Sequence, residues 1–142
     1  MKLVKHLLDS KGRDIVSIAG NASVLDAIKT MAERSIGSLL VMEDGELKGI
    51  VTERDYARKV IIKGRSSKST QVQEIMTTDV CTATPDQTVN DCMTTMTEER
   101  IRHLPVIEDG KVVGLISIGD LVQAIISDQQ EEIQQLEQYI NS

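Results

Sequence analysis

The stretch "GIVTERDYARK", Gly49 to Lys59, returns sixty-five residues later as "GLISIGDLVQA", Gly114 to Ala124. Each copy begins as a short apolar strand and continues with a hydroxyl residue, two other residues and an aspartate. When the sequence is shifted by sixty-five, residues 15–56 align with 80–121 without a gap, and thirteen of the forty-two pairs are identical. A match of this length indicates that the chain contains two copies of one unit.

The two units follow the same order. A short extended segment leads to Ser23 or Thr88, and each of these residues begins a helix with apolar residues at helical spacing. Two apolar runs then flank an Asp-Gly pair, the dipeptide most typical of a tight β-hairpin. A second helical pattern follows Thr52 or Ser117. The unit is therefore strand, helix, strand, strand, helix. Because about fifty residues form only a marginal core, the two units are expected to pack on each other.

Other segments connect and extend the units. An apolar turn precedes each unit, "VKHLL" at 4–8 and "VQEIM" at 72–76, and we expect each turn to form a helical latch between the units. The C-terminal residues continue the apolar spacing of the preceding helix, so they predict one long helix whose stripe either contacts a partner or folds back on its own chain. The predicted boundaries are 1–63 for the first unit with its latch, 64–70 for a connecting loop, 71–127 for the second unit and 128–142 for the helical tail.

The composition is typical of a globular protein, with 142 residues, 40% hydrophobic and 27% charged. The net charge of -6 argues against a protein devoted to nucleic-acid backbones. RNA binding nevertheless stays open as an alternative, because the connecting region carries a basic cluster. The other interpretations of this cluster are a solvated connector and the border of a cleft, where it would help to hold polyphosphate. This cluster consists of Arg58, Lys59, Lys63, Arg65 and Lys68.

Catalysis and metal binding have little support in the sequence. Cys81 and Cys92 are not in a CxxC arrangement, and neither forms a ligand pattern with His6 or His103. The sequence contains no GxxxxGK loop for phosphoryl transfer and no GxGxxG fingerprint. We therefore predict a protein that is not an enzyme and holds no metal or catalytic cofactor.

The N-terminal apolar run is interrupted by His6 and ends at Asp9, which makes it too short for a signal-peptide core or a membrane span. A cytoplasmic location without a membrane partner is therefore expected. An organellar presequence that had already been removed would leave no trace in this pattern.

The repeated pairs Thr52 with Asp55 and Ser117 with Asp120 have two interpretations. In a capping box, the hydroxyl accepts from the backbone N–H three residues on, and the carboxylate faces the helix dipole. The other helix of each unit begins with the same spacing, so spacing alone does not mark a site. In the second interpretation the helix N-terminus holds a phosphate and the aspartate accepts hydrogen bonds from ribose hydroxyls.

The duplicated unit, the Asp-Gly hairpins, "GIVTERD" with "GLISIGD", and "IRHLPVIEDG" resemble a tandem pair of cystathionine-β-synthase (CBS) domains of the small stand-alone type, over residues 4–127. The resemblance implies an α+β fold of two units packed sheet to sheet with pseudo-two-fold symmetry, plus the C-terminal helical extension. It implies clefts between the units that bind AMP, ADP, ATP, NAD(H) or S-adenosylmethionine. It further implies a disc-like homodimer that regulates an unidentified effector protein, with nucleic acid an unlikely partner.

The resemblance also assigns ligand contacts. Ribose and phosphate contacts are expected from Thr52, Arg54, Asp55, Ser117 and Asp120. The second unit has "IRHL" where the first has "IGSL", so Arg102 and His103 are additional phosphate candidates. Arg54 and Arg102 could instead be exposed arginines without a ligand contact, at the start of a helix or the end of a strand. Contacts to the base are expected from Ser17, Ile18, Ala19, Ile36, Gly37, Ser38, Thr82, Ala83, Thr84, Leu104 and Pro105. An interaction module without a ligand remains the further alternative.

Overall fold

The computed structural model describes residues 2–141, which form helices and strands in two compact units. The elements before residue 80 are α1 Val4–Lys11, β1 Ser17–Ile18, α2 Val24–Arg34, β2 Ser38–Glu43, β3 Glu46–Thr52, α3 Glu53–Tyr56, a π-helical turn Ala57–Ile61 and α4 Val72–Ile75. Those after it are α5 Val89–Glu99, β4 His103–Glu108, β5 Lys111–Ser117 and α6 Ile118–Ile140. This α+β order confirms the repeated unit and the C-terminal helical extension.

The unit from Ile15 to Cys81 is built on a three-stranded sheet. β2 is the central strand, parallel to β1 and antiparallel to β3. Its first four residues are buried, as the nearly continuous apolar run predicts. The core joins the sheet to α2, the π-helical turn and α4. It contains Val24, Ala27, Met31, Leu39, Val41, Val51, Val60, Val72 and Ile75.

Both predicted Asp-Gly hairpins are present. Asp44 and Gly45 have φ values of 52° and 78°, and Asp109 and Gly110 have φ values of 53° and 77°. Two consecutive residues with positive φ form the turn whose twist matches that of the flanking strands. Aspartate tolerates this region and glycine adopts it without a steric cost, so the dipeptide determines where each hairpin turns.

The second repeat has a smaller sheet, β4 with β5, because its first strand is reduced to a single bridge between Ala83 and Val106. In the first repeat, the Leu40 N–H donates to the Val16 carbonyl at 3.2 Å. The position equivalent to Leu40 in the second repeat is Pro105, which has no N–H to donate. Proline therefore shortens the ladder, and the extended segment predicted there forms only an isolated bridge.

Both predicted latches are helical, and each one forms a compact unit together with one of the repeats. α4 stays with the first repeat, whereas α1 lies in the unit that contains Thr82 onward. The predicted boundaries 1–63 and 71–127 follow the repeats along the sequence, and the compact units differ from them because α1 packs with the second repeat. Val4 and Leu8 of this helix are fully buried there.

A glycine in the second hairpin strand of each repeat provides the room for a latch. A Cβ atom on Gly114 would lie 2.5 Å from Leu8 Cδ2. A Cβ atom on Gly49 would lie 2.8 Å from the carbonyl oxygen of Thr77. That carbonyl cannot move freely, because it accepts from the Ile50 N–H at 3.0 Å. Gly49 is therefore needed for close approach of the backbone, and Gly114 leaves room for the Leu8 side chain.

The connecting segment 64–70 contains neither helix nor strand, and it contacts the start of α2. The Val24 N–H donates to the Thr70 carbonyl at 2.8 Å, and the Leu25 N–H donates to the Ser67 carbonyl at 2.9 Å. These bonds satisfy two of the N–H groups that a helix leaves without internal partners. Across residues 2–141, no helix combines the length and the apolar character that a membrane crossing would require.

We expect Gly49→Ala to destabilise the protein by about 1–3 kcal/mol, because the added methyl group overlaps a backbone carbonyl that is fixed in a hydrogen-bonded bridge. Gly119→Ala is the control, since its Cβ would meet only Ser117 Oγ at 3.6 Å and alanine favours a helix by up to about 1 kcal/mol. Urea unfolding measures both. Equal stabilities for the two variants would contradict the close approach of the latch.

Candidate functional site

Asp55 follows β3 at the start of α3, and the structure forms a complete capping box there. The Asp55 N–H donates to Thr52 Oγ1 at 3.1 Å, and the Thr52 N–H donates to Asp55 Oδ2 at 3.0 Å. The Thr52 hydroxyl also donates to Asp55 Oδ2 at 3.1 Å. The capping interpretation is therefore realised, and it holds the carboxylate in one orientation.

A lysine completes the surroundings of Asp55. Lys59 Nζ lies 3.1 Å from Asp55 Oδ1 and donates to the Ile75 carbonyl oxygen at 2.8 Å. Only 9% of the Asp55 surface is exposed. A carboxylate buried to this extent needs a compensating partner, and the Lys59 ammonium group provides it. The first repeat thus holds a carboxyl group that is largely withdrawn from water and paired with a lysine.

Asp120 has the corresponding arrangement at the start of α6, but its lysine comes from α1. The Ser117 N–H donates to Asp120 Oδ2 at 2.8 Å, and the Asp120 N–H donates to Ser117 Oγ at 3.2 Å. Lys11 Nζ lies 2.6 Å from the same Oδ2 and 2.7 Å from the Leu115 carbonyl oxygen. Burial raises the pKa of Asp120, but the hydrogen bonds from Lys11 and Ser117 outweigh it and hold this pKa below its ordinary value.

Burial separates these two aspartates from those with the same spacing elsewhere. Asp26 and Asp91 also occupy the third position of capped helices, where their N–H groups donate to Ser23 Oγ and Thr88 Oγ1 at 3.1 and 3.0 Å, yet both are exposed. Asp55 is buried and Asp120 is half-buried, and each is bonded to a lysine. The structure therefore distinguishes the two classes, which the spacing in the sequence could not.

Arg102 and His103 are adjacent to the second-repeat motif. The Ile118 N–H donates to the Arg102 carbonyl at 2.9 Å, and His103 lies opposite Ser117 in the β4–β5 register. Burial lowers the pKa of His103; the charge of Asp120 opposes this shift and the nearby cations reinforce it. His103 is therefore neutral at pH 7 and can form hydrogen bonds. Of the two additional phosphate candidates, Arg102 is the one that carries positive charge.

The first repeat has the same backbone frame with different side chains. The Glu53 N–H donates to the Gly37 carbonyl at 3.1 Å, and the buried Ser38 lies opposite Thr52. Arg54 is exposed on α3. The two motifs are thus alike in their backbone and different in charge.

The candidates for base contact are only partly brought together. Ser17 lies beside Leu40, two residues further along β2 than Ser38, which is a separation of about 7 Å. In the second repeat, the Ala83 N–H donates to the Pro105 carbonyl at 2.9 Å, so these two candidates do meet. The other base-contact candidates flank these positions in their strands or at strand ends; they are Ile18, Ala19, Ile36, Gly37, Thr82, Thr84 and Leu104.

Sequence reasoning named Lys59 only as a member of the basic cluster, without its pairing to Asp55, and it missed Lys11. Lys59 lies four residues after Asp55 on the helical segment, a spacing that could have identified it. Lys11 gives no such signal, because it is separated from Asp120 by 109 residues. Parts of the basic connecting cluster also have acidic partners, since Arg65 lies 2.6 Å from Glu74. This pairing weakens the RNA-binding alternative.

Metal and thiol chemistry have no support from the described residues. No group of three or more His, Cys, Asp or Glu side chains within residues 2–141 could hold a metal ion. Burial, assisted by the charge of Asp91, raises the pKa of the Cys92 thiol to about 11. Cys92 is therefore protonated at neutral pH and is a core residue, not a nucleophile.

Comparison with known proteins gives the same organisation. The CBS domain profile matches residues 4–62 and again residues 72–127. Among curated relatives, the CBS domain-containing protein CBSX3, mitochondrial, of Arabidopsis thaliana is 49% identical over 123 residues. The match covers 83% of this chain and 60% of that protein, so the chain spans somewhat less than two thirds of its relative's length.

Solved structures of related proteins share the fold. A CBS-domain protein of Burkholderia ambifaria, assigned provisionally to signal transduction, has 53% identity and a TM-score of 0.88, with coverage of 90% of this chain and 96% of that one. The CBS domain pair of protein MJ0100, in complex with 5'-methylthioadenosine and S-adenosylmethionine, has 28% identity, a TM-score of 0.80 and coverages of 90% and 98%. A hexameric CBS-CP12 protein from bloom-forming cyanobacteria has 31% identity, a TM-score of 0.77 and coverages of 86% and 70%.

We expect Asp120→Asn to destabilise the protein most at neutral pH. Because the folded-state pKa of Asp120 is below its ordinary value of 3.8, its stabilising contribution is complete above that value and is lost as the pH falls through the folded pKa. The difference in unfolding free energy between the variant and the wild type should therefore shrink from pH 7 to pH 3, as measured by urea unfolding. The exposed cap Asp91→Asn is the control, with a smaller loss at pH 7; a pH-independent difference for Asp120→Asn would contradict the ion pair with Lys11.

Proposed function

The chain belongs to the CBS domain family, and on this basis we propose that it is a non-catalytic sensor of adenosine-containing ligands. The observation that carries the proposal is the oriented, lysine-paired carboxylate at the same position in both repeats, Asp55 and Asp120. The related MJ0100 pair is in complex with two ligands that share an adenosine group. Adenosine offers ribose hydroxyls, the donors that such a carboxylate accepts.

The residues around each aspartate supply the remaining chemistry. A carboxylate has about four acceptor positions, so Asp120 can bind ribose hydroxyls while it keeps its capping bond to the Ser117 N–H. The Ser117 hydroxyl suits a phosphate, and the dipole of α6 favours an anion there, although the Ile118 and Asp120 N–H groups already donate to the Arg102 carbonyl and to Ser117 Oγ. Arg102 adds a guanidinium beside this motif, and the neutral His103 adds a hydrogen-bonding ring.

The base is expected to lie against aliphatic groups. The sequence has no Phe or Trp and only two tyrosines, so stacking on aromatic rings is not the mode of recognition that this composition favours. In the second repeat, the buried Leu104 and Pro105 and the neighbouring Ala83 form an apolar strand surface of the kind that a purine contacts. AMP, ADP, ATP, NAD(H) and S-adenosylmethionine all present this combination of base and ribose.

The output of the sensor is a change in packing or assembly that an effector protein detects. Only the difference in ligand affinity between two conformations can be transmitted in this way. We propose a homodimer as the working assembly, with a cytoplasmic location; the hexameric relative and the relative named as mitochondrial define the alternatives.

A structural interaction module without ligand is the second candidate, and α6 is the observation that favours it. Leu136 and Ile140 of this helix are 62% and 76% exposed, and Ile126 and Ile133 continue the same apolar stripe. An apolar stripe of this length on an exposed helix is typical of a protein contact. The sensor binds an adenosine ligand and the interaction module does not, so a binding measurement distinguishes these two functions.

Thermal unfolding with AMP, ADP, ATP, NAD, NADH or S-adenosylmethionine tests the sensor directly. A ligand at about one hundred times its dissociation constant adds roughly 2.7 kcal/mol, which corresponds to a Tm increase of roughly 9 °C for a chain of this size. We expect a selective increase with at least one of them. The increase should fall in Asp55→Ala or Asp120→Ala, because each substitution removes the ribose acceptor.

Asp91→Ala is the matched control, since Asp91 forms the same type of cap on the exposed side of α5. It should lose some stability and retain the full ligand-induced increase. If Asp55→Ala and Asp120→Ala lower the Tm and still bind every active ligand with unchanged affinity, these aspartates are caps alone. If no adenosine ligand raises the Tm of the wild type, the interaction module replaces the sensor.

A further inference from the structure

A groove lies between α1 and the first turns of α6, within the unit that contains the second repeat. Its volume is about 350 Å³, which is at the lower end of the range found for small-molecule sites. Lys2, His6 and Lys11 line one side, and Asp120 lines the other. The groove is therefore polar and rich in basic groups, and it adjoins the aspartate to which the ribose is assigned.

An alanine in place of a lysine leaves this groove open. Ala124 lines the groove and occupies the position equivalent to Lys59 in the first repeat. There, the Lys59 ammonium lies 3.1 Å from Asp55 and 2.8 Å from the Ile75 carbonyl, so the long side chain fills the corresponding space. Alanine has no atoms beyond Cβ, and in the second repeat the cation is supplied by Lys11.

Lys11 is suited to bridge a carboxylate and an anion. An ammonium group has three donors, and two are used by Asp120 Oδ2 at 2.6 Å and the Leu115 carbonyl at 2.7 Å. The side chain is 37% exposed, and its flexible four-carbon stem allows the ammonium to move within the groove. The third donor is therefore available to a ligand without loss of the contact to Asp120.

Two further donors line the same groove. His6 Nδ1 accepts from the Leu3 N–H at 3.0 Å, which leaves Nε2 as the ring nitrogen that can donate. Lys2 donates to Ser127 Oγ at 3.2 Å, and its ammonium lies 3.5 Å from Asp128. An anion in the groove would thus find charged or neutral N–H donors along the whole side formed by the N-terminal segment.

We propose that this groove is the phosphate subsite of the second repeat, with Lys11 bridging Asp120 and the phosphate of a ligand whose ribose Asp120 holds. The inference rests on the proposed function and deepens it. In the first repeat Lys59 occupies the position of Ala124, whereas the groove of the second repeat carries the additional donors Lys2 and His6. The second repeat is therefore the one that distinguishes phosphorylated from unphosphorylated adenosine ligands. The specificity-determining residue is Lys11, which lies outside the duplicated motif.

Calorimetric titration with ATP and with 5'-methylthioadenosine tests the subsite, since both contain adenosine and only ATP carries phosphate. The titrations use the full chain with Asp55→Ala, so that the second repeat is measured. Lys11→Met should raise the Kd for ATP roughly 10- to 100-fold, the loss expected for a hydrogen bond between charged groups. The Kd for 5'-methylthioadenosine should change less than about twofold, and Lys11→Arg should retain ATP binding, because the charge is kept.

Ala124→Met is a second variant that does not remove the Lys11 contact. Its uncharged side chain fills part of the groove, so it should weaken ATP binding while 5'-methylthioadenosine still binds. Lys59→Met is the matched control in the first repeat and should leave the ratio of the two Kd values at the second repeat unchanged. A two-site fit of the chain without Asp55→Ala repeats the comparison if that substitution lowers the folded fraction.

The outcomes separate the two proposals. If both ligands bind and Lys11→Met changes their Kd values equally or not at all, the phosphate subsite is wrong and the sensor stands. The same conclusion holds if the wild type binds 5'-methylthioadenosine and not ATP. If the wild type binds neither these two ligands nor any other adenosine compound, the sensor and the subsite are both wrong.

Discussion

The close approach of a latch to a glycine-containing strand is the contact on which both units depend. Leu8 of α1 packs where a Cβ on Gly114 would be, and the backbone at Thr77 packs where a Cβ on Gly49 would be. A single repeat is too small to bury a sufficient core, and each latch adds fully buried apolar side chains to one repeat. The glycine at position 49 is therefore required by packing against backbone, whereas a side chain at position 114 would force Leu8 to shift.

The same contact determines the charge of both candidate sites. α1 brings Lys11 to Asp120, and α4 presents the Ile75 carbonyl that fixes the Lys59 ammonium beside Asp55. Without its latch, each carboxylate would lose either its cation or the acceptor that orients that cation. A partly buried carboxylate without such compensation is costly, so the docking of each latch stabilises the carboxylate of its own unit.

Local patterns predicted most of the fold, because hairpins and helix caps are determined by neighbouring residues. The positive φ values at Asp44 and Gly45 follow from the dipeptide itself. Contacts between residues that are far apart in the sequence could not be predicted in this way. The sequence does not say that α1 joins the second repeat, and Lys11 is 109 residues from Asp120, so the ion pair has no local signal. The register that separates Ser17 from Ser38 is likewise a property of strand pairing and not of either strand alone.

Both repeats have the aspartate, but its lysine partner comes from the following helical segment in the first repeat and from α1 in the second. This difference affects how ligand binding can alter the packing of each unit. Lys59 lies one helical turn from Asp55, so their contact stays local whatever happens elsewhere. Lys11 reaches Asp120 only while α1 is docked beside α6. On the proposed function, a ligand that binds Asp120 and Lys11 together favours the docked state of α1, and by linkage the docked state favours that ligand to the same extent. A ligand at Asp55 acts on α4 only through the hydrogen bond from Lys59 to the Ile75 carbonyl, so the second repeat is the better placed of the two to convert ligand binding into a change of packing.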